Sequence, residues 1–313
     1  MYGKVVVPLD GSKLAVGVLP HVAEVIRGQR SKVYLLSVAP LMRGIAPVLV
    51  ELSSSSANLR EERQRTEREL LDYLRQAGQR LEPVTAEVQA CVRFGRPAEE
   101  TLAFANEVKA DLLAMSTHGR SGISIWVFGS MVDRVLRGAT CPVLLVRADQ
   151  AEPRAPYQRI VVPLDGSELA EQVLPYLKTL IRPDQGLKAG TRIFLISVLT
   201  AGLGERTVAL LTSYPPGFQL AAPTLNHAEI QLRTYLRSVA SVLRGQGATV
   251  QTAVRRGLPA EEILAYAAEV EADLIGMTTH GFSGVSRWGY GDVASKVLQG
   301  ARSPVLLVHS TSV

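Results

Sequence analysis

Apolar residues recur along the chain in short continuous runs that are separated by longer stretches of helical period. Consecutive apolar residues, as in the run at 32–38, are typical of strands buried on both faces of a parallel sheet. The stretch at 57–80 instead spaces them three or four positions apart, as in a helix that covers a sheet. The alternation predicts an α/β fold. The predicted strands are 3–9, 32–38, 85–92, 111–115 and 143–147, and the predicted helices are 13–27, 57–80, 97–108 and 130–137.

The same order of elements occurs twice. The offset between matching segments grows from 155 to 162 residues, so the insertions fall in connecting loops. Such agreement predicts an internal duplication, with one domain at 1–148, a polar, proline-containing linker at 149–157 and a second domain at 158–313. The clearest matches are Val5–Ser12 with Ile160–Ser167, Arg93–Glu100 with Arg255–Glu262, and Cys141–Val146 with Ser303–Val308.

Composition narrows the class of protein. Of the 313 residues, 47% are hydrophobic and 20% charged, which is typical of a globular protein with a large core. No leader or membrane-length apolar run is present, so we expect a soluble, cytoplasmic protein. The net charge is +5, but the arginines at 60–69 alternate with acids at helical spacing, and we expect neither a nucleic acid nor a membrane partner. Cys91 and Cys141 lie in no metal or disulfide pattern and are predicted to be buried small hydrophobes.

A glycine-bearing loop after the fourth strand of each repeat is the main candidate for a binding site. Residues 115–130 lead from that strand to a helix, and 277–291 repeat the pattern, with nine residues between the two glycines in each copy. The start of a helix offers unpaired N–H groups, and glycine lets the backbone approach phosphate oxygens. A loop that merely needs glycine to turn is the alternative.

An aspartate follows the first strand of each repeat, at the edge of the sheet where open parallel sheets bind ligands. Asp10 and Asp165 could accept a hydrogen bond from a ribose hydroxyl or a base amine, or could simply cap the next turn. The sequence has no GxxxxGK[ST] motif and no GxGxxG after its first strand, which disfavours NAD and FAD. It has no metal-ligand spacing and no evident nucleophile with a base, so we predict no catalytic residues and no dedicated enzyme.

Taken together, these motifs resemble those of the universal stress proteins, and the resemblance covers nearly the whole chain. Its marks are Val-Pro-Leu-Asp-Gly-Ser at 7–12, Thr-His-Gly-Arg-Ser-Gly at 117–122, Gly-Ser at 129–130 and Pro-Val-Leu-Leu-Val at 142–146. The resemblance implies two fused Rossmann-like domains, each a five-stranded parallel sheet of order 3-2-1-4-5 with helices on both faces. It also implies ATP, with Mg²⁺ as an optional companion.

The resemblance assigns site residues by position, with the adenine near the ends of strands one and two and the phosphates at the loop and helix start. Arg120 is a further candidate, as a counter-charge for phosphate. The predicted cofactor-binding residues are Pro8, Leu9, Asp10, Val38, Met115, Ser116, His118, Gly119, Arg120, Gly129, Ser130, Met131, Val132, Asp165, Val198, Met277, His280, Gly281 and Gly291.

Two departures from the family pattern bear on affinity. Ser116 and Thr278 stand where the motif has its first glycine, a small change. Asp292 replaces Ser130 in the second repeat, and a carboxylate about 4 Å from a phosphate is repelled by roughly 4 kcal/mol at an effective dielectric of 20. We therefore expect the first repeat to be the better ATP site and the second to bind ATP weakly, to bind a less charged ligand or to be empty, unless Asp292 holds a bridging Mg²⁺.

The resemblance implies an ATP-binding sensor or regulator of a stress response. A slow ATPase or phosphotransferase using the same site and a scaffold without nucleotide are the alternatives. We also expect the two repeats to form a pseudo-dimer through Pro142–Val146 and Pro304–Val308, which could assemble further into a homodimer. The proline-rich stretch at 199–226 is either a lid or a mere insertion.

Overall fold

The computed structural model describes residues 2–40, 56–85, 87–117, 130–148, 157–181, 190–200, 225–281 and 291–310. Most of both loop candidates, the linker and residues 201–224 of the predicted lid lie outside these ranges. The chain divides into two compact units, Met1–Pro153 and Arg154–Val313. Each unit is described separately below.

The first unit is a five-stranded parallel sheet in which strands alternate with helices. Its strand order is β3-β2-β1-β4-β5, and every pair is parallel. The order reverses at β1, so right-handed crossovers place the helices on both faces. The elements are β1 (Lys4–Pro8), a 3₁₀ turn (Ala15–Val18), α1 (Leu19–Ile26), β2 (Lys32–Ala39), α2 (Ser56–Gly78), β3 (Glu87–Phe94), α3 (Pro97–Val108), β4 (Leu112–Thr117), α4 (Ser130–Gly138) and β5 (Val143–Arg147).

The second unit repeats this topology as β8-β7-β6-β9-β10, again with parallel pairs throughout. This confirms the predicted fold class and the strand order that the resemblance implied. The elements are β6 (Arg159–Pro163), α5 (Glu168–Glu171), α6 (Leu174–Leu177), a 3₁₀ turn (Lys178–Leu180), β7 (Arg192–Leu199), α7 (Leu225–Arg244), β8 (Thr249–Arg256), α8 (Pro259–Glu269), β9 (Leu274–Thr278), α9 (Asp292–Gly300) and β10 (Val305–Val308).

The central strands carry the core, as their continuous apolar runs predicted. All of β4 is buried, whereas β3 at the edge of the sheet is only partly buried. Two predicted boundaries were wrong. The third strand lies two residues later than predicted, because its pairing with β2 continues to Ala39 and Phe94. The helix predicted at 13–27 is a 3₁₀ turn followed by α1, because Pro20 has no N–H for the first α-helical bonds and so sits in the first turn of the helix.

Candidate functional site

The turn after the first strand has the same geometry in both units. Asp10 Oδ1 accepts a hydrogen bond of 3.0 Å from the Ser12 N–H, and Asp165 Oδ1 accepts one of 3.0 Å from the Ser167 N–H. The intervening glycines, Gly11 and Gly166, have φ of +85° and +90°, which favours glycine at both positions. The capping role that the sequence allowed for these aspartates is therefore present in both repeats.

A buried serine holds the end of the first strand in each unit. Ser37 Oγ donates to the Leu9 carbonyl at 2.7 Å, and Ser197 Oγ donates to the Leu164 carbonyl at 2.6 Å. Both serines are 1% exposed. Ser37 and Ser197, which precede the candidate site residues Val38 and Val198, thus fix the backbone that leads into the aspartate turn.

Replacing Ser197 by alanine should leave the buried Leu164 carbonyl without this donor. We expect the free energy of unfolding of the second unit to fall by about 1–3 kcal/mol, and Ser37→Ala should do the same in the first unit. Urea unfolding measures both. Ser238→Ala is the control, because Ser238 is exposed on α7. An effect of Ser197→Ala no larger than that of the control would contradict a supporting role.

The second unit contains a cavity of about 640 Å³ where the carboxyl ends of β6, β7 and β9 meet the first turn of α9. This volume suits a small organic ligand. Apolar side chains from β7, α7 and α8 form much of its wall, and polar groups come from the aspartate turn and the chain after β9. The lining residues are Pro163, Leu164, Asp165, Ala170, Ile196, Val198, Leu199, Thr200, Leu232, Pro259, Ile263, Met277, Thr278, Thr279, His280, Gly281, Gly291, Asp292, Val293 and Ala294.

The cavity brings together every residue of the second repeat that the sequence proposed for the site. Asp165, Val198, Met277, His280 and Gly281 line it, as does Gly291. The first-repeat candidates lie on the corresponding elements of their own unit, except for four that lie outside the described residues. Pro8 ends β1, and Leu9 and Asp10 follow it directly. Val38 lies near the end of β2, Met115 and Ser116 belong to β4, and Ser130, Met131 and Val132 begin α4, whereas His118, Gly119, Arg120 and Gly129 are not described.

Gly281 lies directly against the aspartate turn. A Cβ on Gly281 would lie 2.0 Å from Asp165 Oδ2, far inside any contact distance. This close approach of the loop backbone to the Asp165 carboxylate explains why the Thr-His-Gly motif has glycine at this position in the second unit. Only a residue without a side chain leaves Asp165 in this position at the cavity wall.

Hydroxyl groups hold the backbone and ring of His280. Thr278 Oγ1 donates to the His280 carbonyl at 2.8 Å, and His280 Nδ1 lies 3.0 Å from Thr279 Oγ1. Ser310, which follows β10, donates its N–H to Thr279 Oγ1 at 3.1 Å. The sequence did not predict Ser310, because it lies 30 residues from His280 and only the pairing of β9 with β10 brings the two together.

The start of α9 offers N–H groups to the cavity, but its first side chain points away. The Gly291 N–H donates to the Thr279 carbonyl at 2.8 Å, while the next N–H groups have no acceptor within the helix. The Asp292 side chain is 79% exposed and pairs with Lys296 Nζ at 2.7 Å. The repulsion of roughly 4 kcal/mol between Asp292 and a phosphate was calculated for an unpaired carboxylate. Because water and Lys296 screen the Asp292 charge, the repulsion is smaller than expected.

The helical part of the wall was not predicted from the sequence. Ala170, Leu232 and Ile263 come from α5, α7 and α8, and sequence spacing alone does not say which helix faces which strand end. The repeat gives a partial indication of this wall, because Leu70 of the first unit occupies the position that corresponds to Leu232. A Cβ on Gly11 would lie 4.0 Å from the Leu70 side chain, so Leu70 adjoins the corresponding aspartate turn.

The cysteines and the possible metal ligands of the described residues bear on the sequence predictions. Both cysteines are free thiols, and burial raises the pKa of Cys141 to about 11. Cys141 is buried as predicted, whereas Cys91 is only partly buried, because it lies on the edge strand β3. Within the described ranges no three His, Cys, Asp or Glu side chains cluster as a metal site would require.

The two units are doubly wound α/β domains, and the described part of the second encloses a ligand-sized cavity at the carboxyl edge of its sheet. The chain belongs to the Universal stress protein family, whose model matches residues 1–147 and again 156–309. This confirms the resemblance and the fusion of two family domains. Among the helices that the structure describes, none is both long and apolar enough to cross a membrane.

Relatives differ in how much of the chain they match. Universal stress protein MJ0531 of Methanocaldococcus jannaschii is 30% identical over 155 residues, which cover 49% of this chain and 86% of that protein. Universal stress protein Mb2028c of Mycobacterium bovis is 25% identical over 219 residues, covering 70% of this chain and 68% of that protein. A crystal structure of a universal stress protein from Archaeoglobus fulgidus is similar over 99% of both chains, with a TM-score of 0.67 and 20% identity, and supports the fold.

Proposed function

We propose that this protein binds adenine nucleotide, ATP in particular, and regulates a cytoplasmic stress response through its bound state. The observation that carries the proposal is the cavity of about 640 Å³ in the second unit. Its position at the carboxyl ends of parallel strands, beside the start of a helix, is where this fold class binds ligands. The family resemblance supplies the chemical class of the ligand.

The residues of the cavity are compatible with such a ligand. Apolar side chains such as Ile196 and Ile263 can cover a base, while Asp165 can accept from a ribose hydroxyl. The N–H groups of Asp292 and Val293 at the start of α9 can donate to phosphate oxygens. The contact between Gly281 and Asp165 holds the loop close enough for its backbone to contribute. In the first unit Asp10, Val38 and Ser130 are the proposed equivalents.

The preference for the first repeat remains part of the proposal. Ser130 offers a hydroxyl at the helix start where the second unit has Asp292, whose charge is shared with Lys296. We expect the first repeat to bind ATP more tightly, by less than the thousandfold that an unpaired carboxylate would give. The pairing of the two repeats through their last strands also stays a prediction.

Tryptophan fluorescence tests nucleotide binding at each repeat. Trp126 and Trp288 are the two tryptophans of the chain, one in each glycine-bearing loop. With one of them replaced by phenylalanine, titration with Mg-ATP and with Mg-GTP should give saturable changes, tighter for ATP. Hydrolysis followed in the same samples, with Ser130→Ala as the control, separates a regulator from a slow ATPase. Absence of saturation in both variants would contradict the proposal and favour the scaffold.

A further inference from the structure

The two repeats differ in charge around the same turn. Counting from the serine of each Asp-Gly-Ser motif, Lys13 is matched by Glu168 and Val16 by Glu171, while Ser130 is matched by Asp292. The first exchange removes a positive charge and adds a negative one, and each of the others adds a negative charge. At these positions the second repeat is therefore four unit charges more negative. The loops contain one arginine each, Arg120 or Arg287, but in the helix turn that follows, Asp133 of the first repeat is matched by Ser295, which reduces the difference to three unit charges.

Two of the three added acidic residues lie on a helical turn that borders the cavity of the second unit. Ala170 lines the cavity, and Glu168 and Glu171 flank it within the single turn of α5. Asp165 lines the cavity itself, whereas Asp292 borders it with a carboxylate that is largely exposed and paired with Lys296. Glu171 and Asp165 thus place negative charge at one end of a site with apolar walls, where fields of one sign are focused.

A tyrosine beside the turn reports on this charge in both units. In the first unit, burial is the main cause that raises the pKa of Tyr73, and the negative charge of Asp10 raises it further. In the second unit burial raises the pKa of Tyr235, and Glu171 and then Asp165 raise it further. Glu171 therefore adds to the negative field beside Asp165, in a place where the first repeat has the uncharged Val16.

The remaining wall suits a ligand with a flat apolar part and hydroxyl groups. Ile196, Ile263 and Met277 supply apolar surface, and Asp165 supplies an acceptor for a ligand hydroxyl. The described lining residues include Asp165 and Asp292, of which Asp292 pairs with Lys296, and no lysine or arginine. A triphosphate would bring negative charges into this field, whereas a nucleoside would bring none.

We propose that the two repeats have divided their ligands, with the second repeat holding an uncharged nucleoside and the first holding the nucleotide. This inference rests on the proposed adenine specificity of the fold. A chain with one site of each kind would respond to the balance between nucleotide and nucleoside rather than to ATP alone.

The test is a titration of the second repeat with adenosine and with Mg-ATP in full-length Trp126→Phe protein, which keeps Trp288 as the reporter. We expect adenosine to bind at least about 10-fold more tightly than Mg-ATP. The variant Glu168→Lys/Glu171→Val/Asp292→Ser carries the residues of the first repeat. It should gain about 10-fold or more in Mg-ATP affinity while adenosine affinity stays within about threefold, and the gain should shrink at high salt.

The reciprocal variant Lys13→Glu/Val16→Glu/Ser130→Asp, read through Trp126 in a Trp288→Phe background, should lose Mg-ATP affinity by a similar factor. Equal changes for both ligands in either variant would overturn the proposal, as would tighter binding of Mg-ATP than of adenosine to the second repeat. If neither ligand binds either repeat, the proposed function itself fails. If Mg-ATP binds the first repeat and adenosine does not bind the second, only this inference fails.

Discussion

Gly281→Ala should lower the affinity of the second repeat for adenine ligands by about 10- to 100-fold. The new methyl group would lie 2.0 Å from Asp165 Oδ2, so either the loop or the carboxylate must move. A displaced Asp165 carboxylate would lose the hydrogen bond proposed from the ribose, and a hydrogen bond to a charged group contributes about 1.5–3 kcal/mol, which corresponds to that range of affinity. Calorimetric titration of the purified variant with adenosine and with Mg-ATP measures the loss.

Gly17→Ala is the matched control, since its added Cβ would lie 4.0 Å from the Ala148 carbonyl oxygen, an ordinary contact within the first unit. Asp165→Asn separates position from charge, because it keeps the shape of the side chain and its capping acceptor. If Gly281→Ala binds like the wild-type protein while its thermal unfolding is unchanged, the contact between Gly281 and Asp165 is not part of the binding site.

His21 should make the first unit less stable in mild acid. The side chain is 3% exposed, and its burial lowers its pKa from 6.5 to about 4. The folded state thus keeps the imidazole neutral while the unfolded chain takes up a proton, so the stabilisation present above pH 6.5 is lost as the pH falls towards 4. Between pH 7.5 and pH 5 this residue should lower the free energy of unfolding by about 2 kcal/mol.

Urea unfolding at the two pH values, in wild type and in His21→Gln, measures this contribution. Glutamine does not titrate, so the variant should lose about 2 kcal/mol less than wild type over the same interval. His227→Gln, on α7 of the second unit, controls for the loss of a histidine elsewhere. An unchanged pH dependence in His21→Gln would show that His21 is not the group responsible.

Repetition made most of the fold predictable. Each strand of the first unit has a counterpart of similar sequence, so a weak pattern such as that of β3 could be checked against β8. The boundaries that failed depend on longer-range effects. The register of β3 is set by its pairing with β2, and the start of α1 by a proline whose missing N–H forbids the first helical bonds.

The candidate site was predictable where strand ends line the cavity and not where helices line it. Asp165 and Met277 follow from the rule that ligands bind beyond the carboxyl ends of parallel strands. Ile263 and Leu232 did not follow, because nothing in a single sequence fixes which helix face adjoins which strand end. The ion pair between Asp292 and Lys296 was also not predicted, because it depends on side-chain geometry at the helix surface.

Isothermal titration of nucleotide-stripped, full-length protein, first with Mg-ATP and then with adenosine, tests the central claim most directly. The account predicts saturable heat from Mg-ATP at one site per chain, lost in Ser130→Ala, and a second site that fills with adenosine and is lost in Gly281→Ala. Absence of heat from both ligands would contradict adenine binding by this chain.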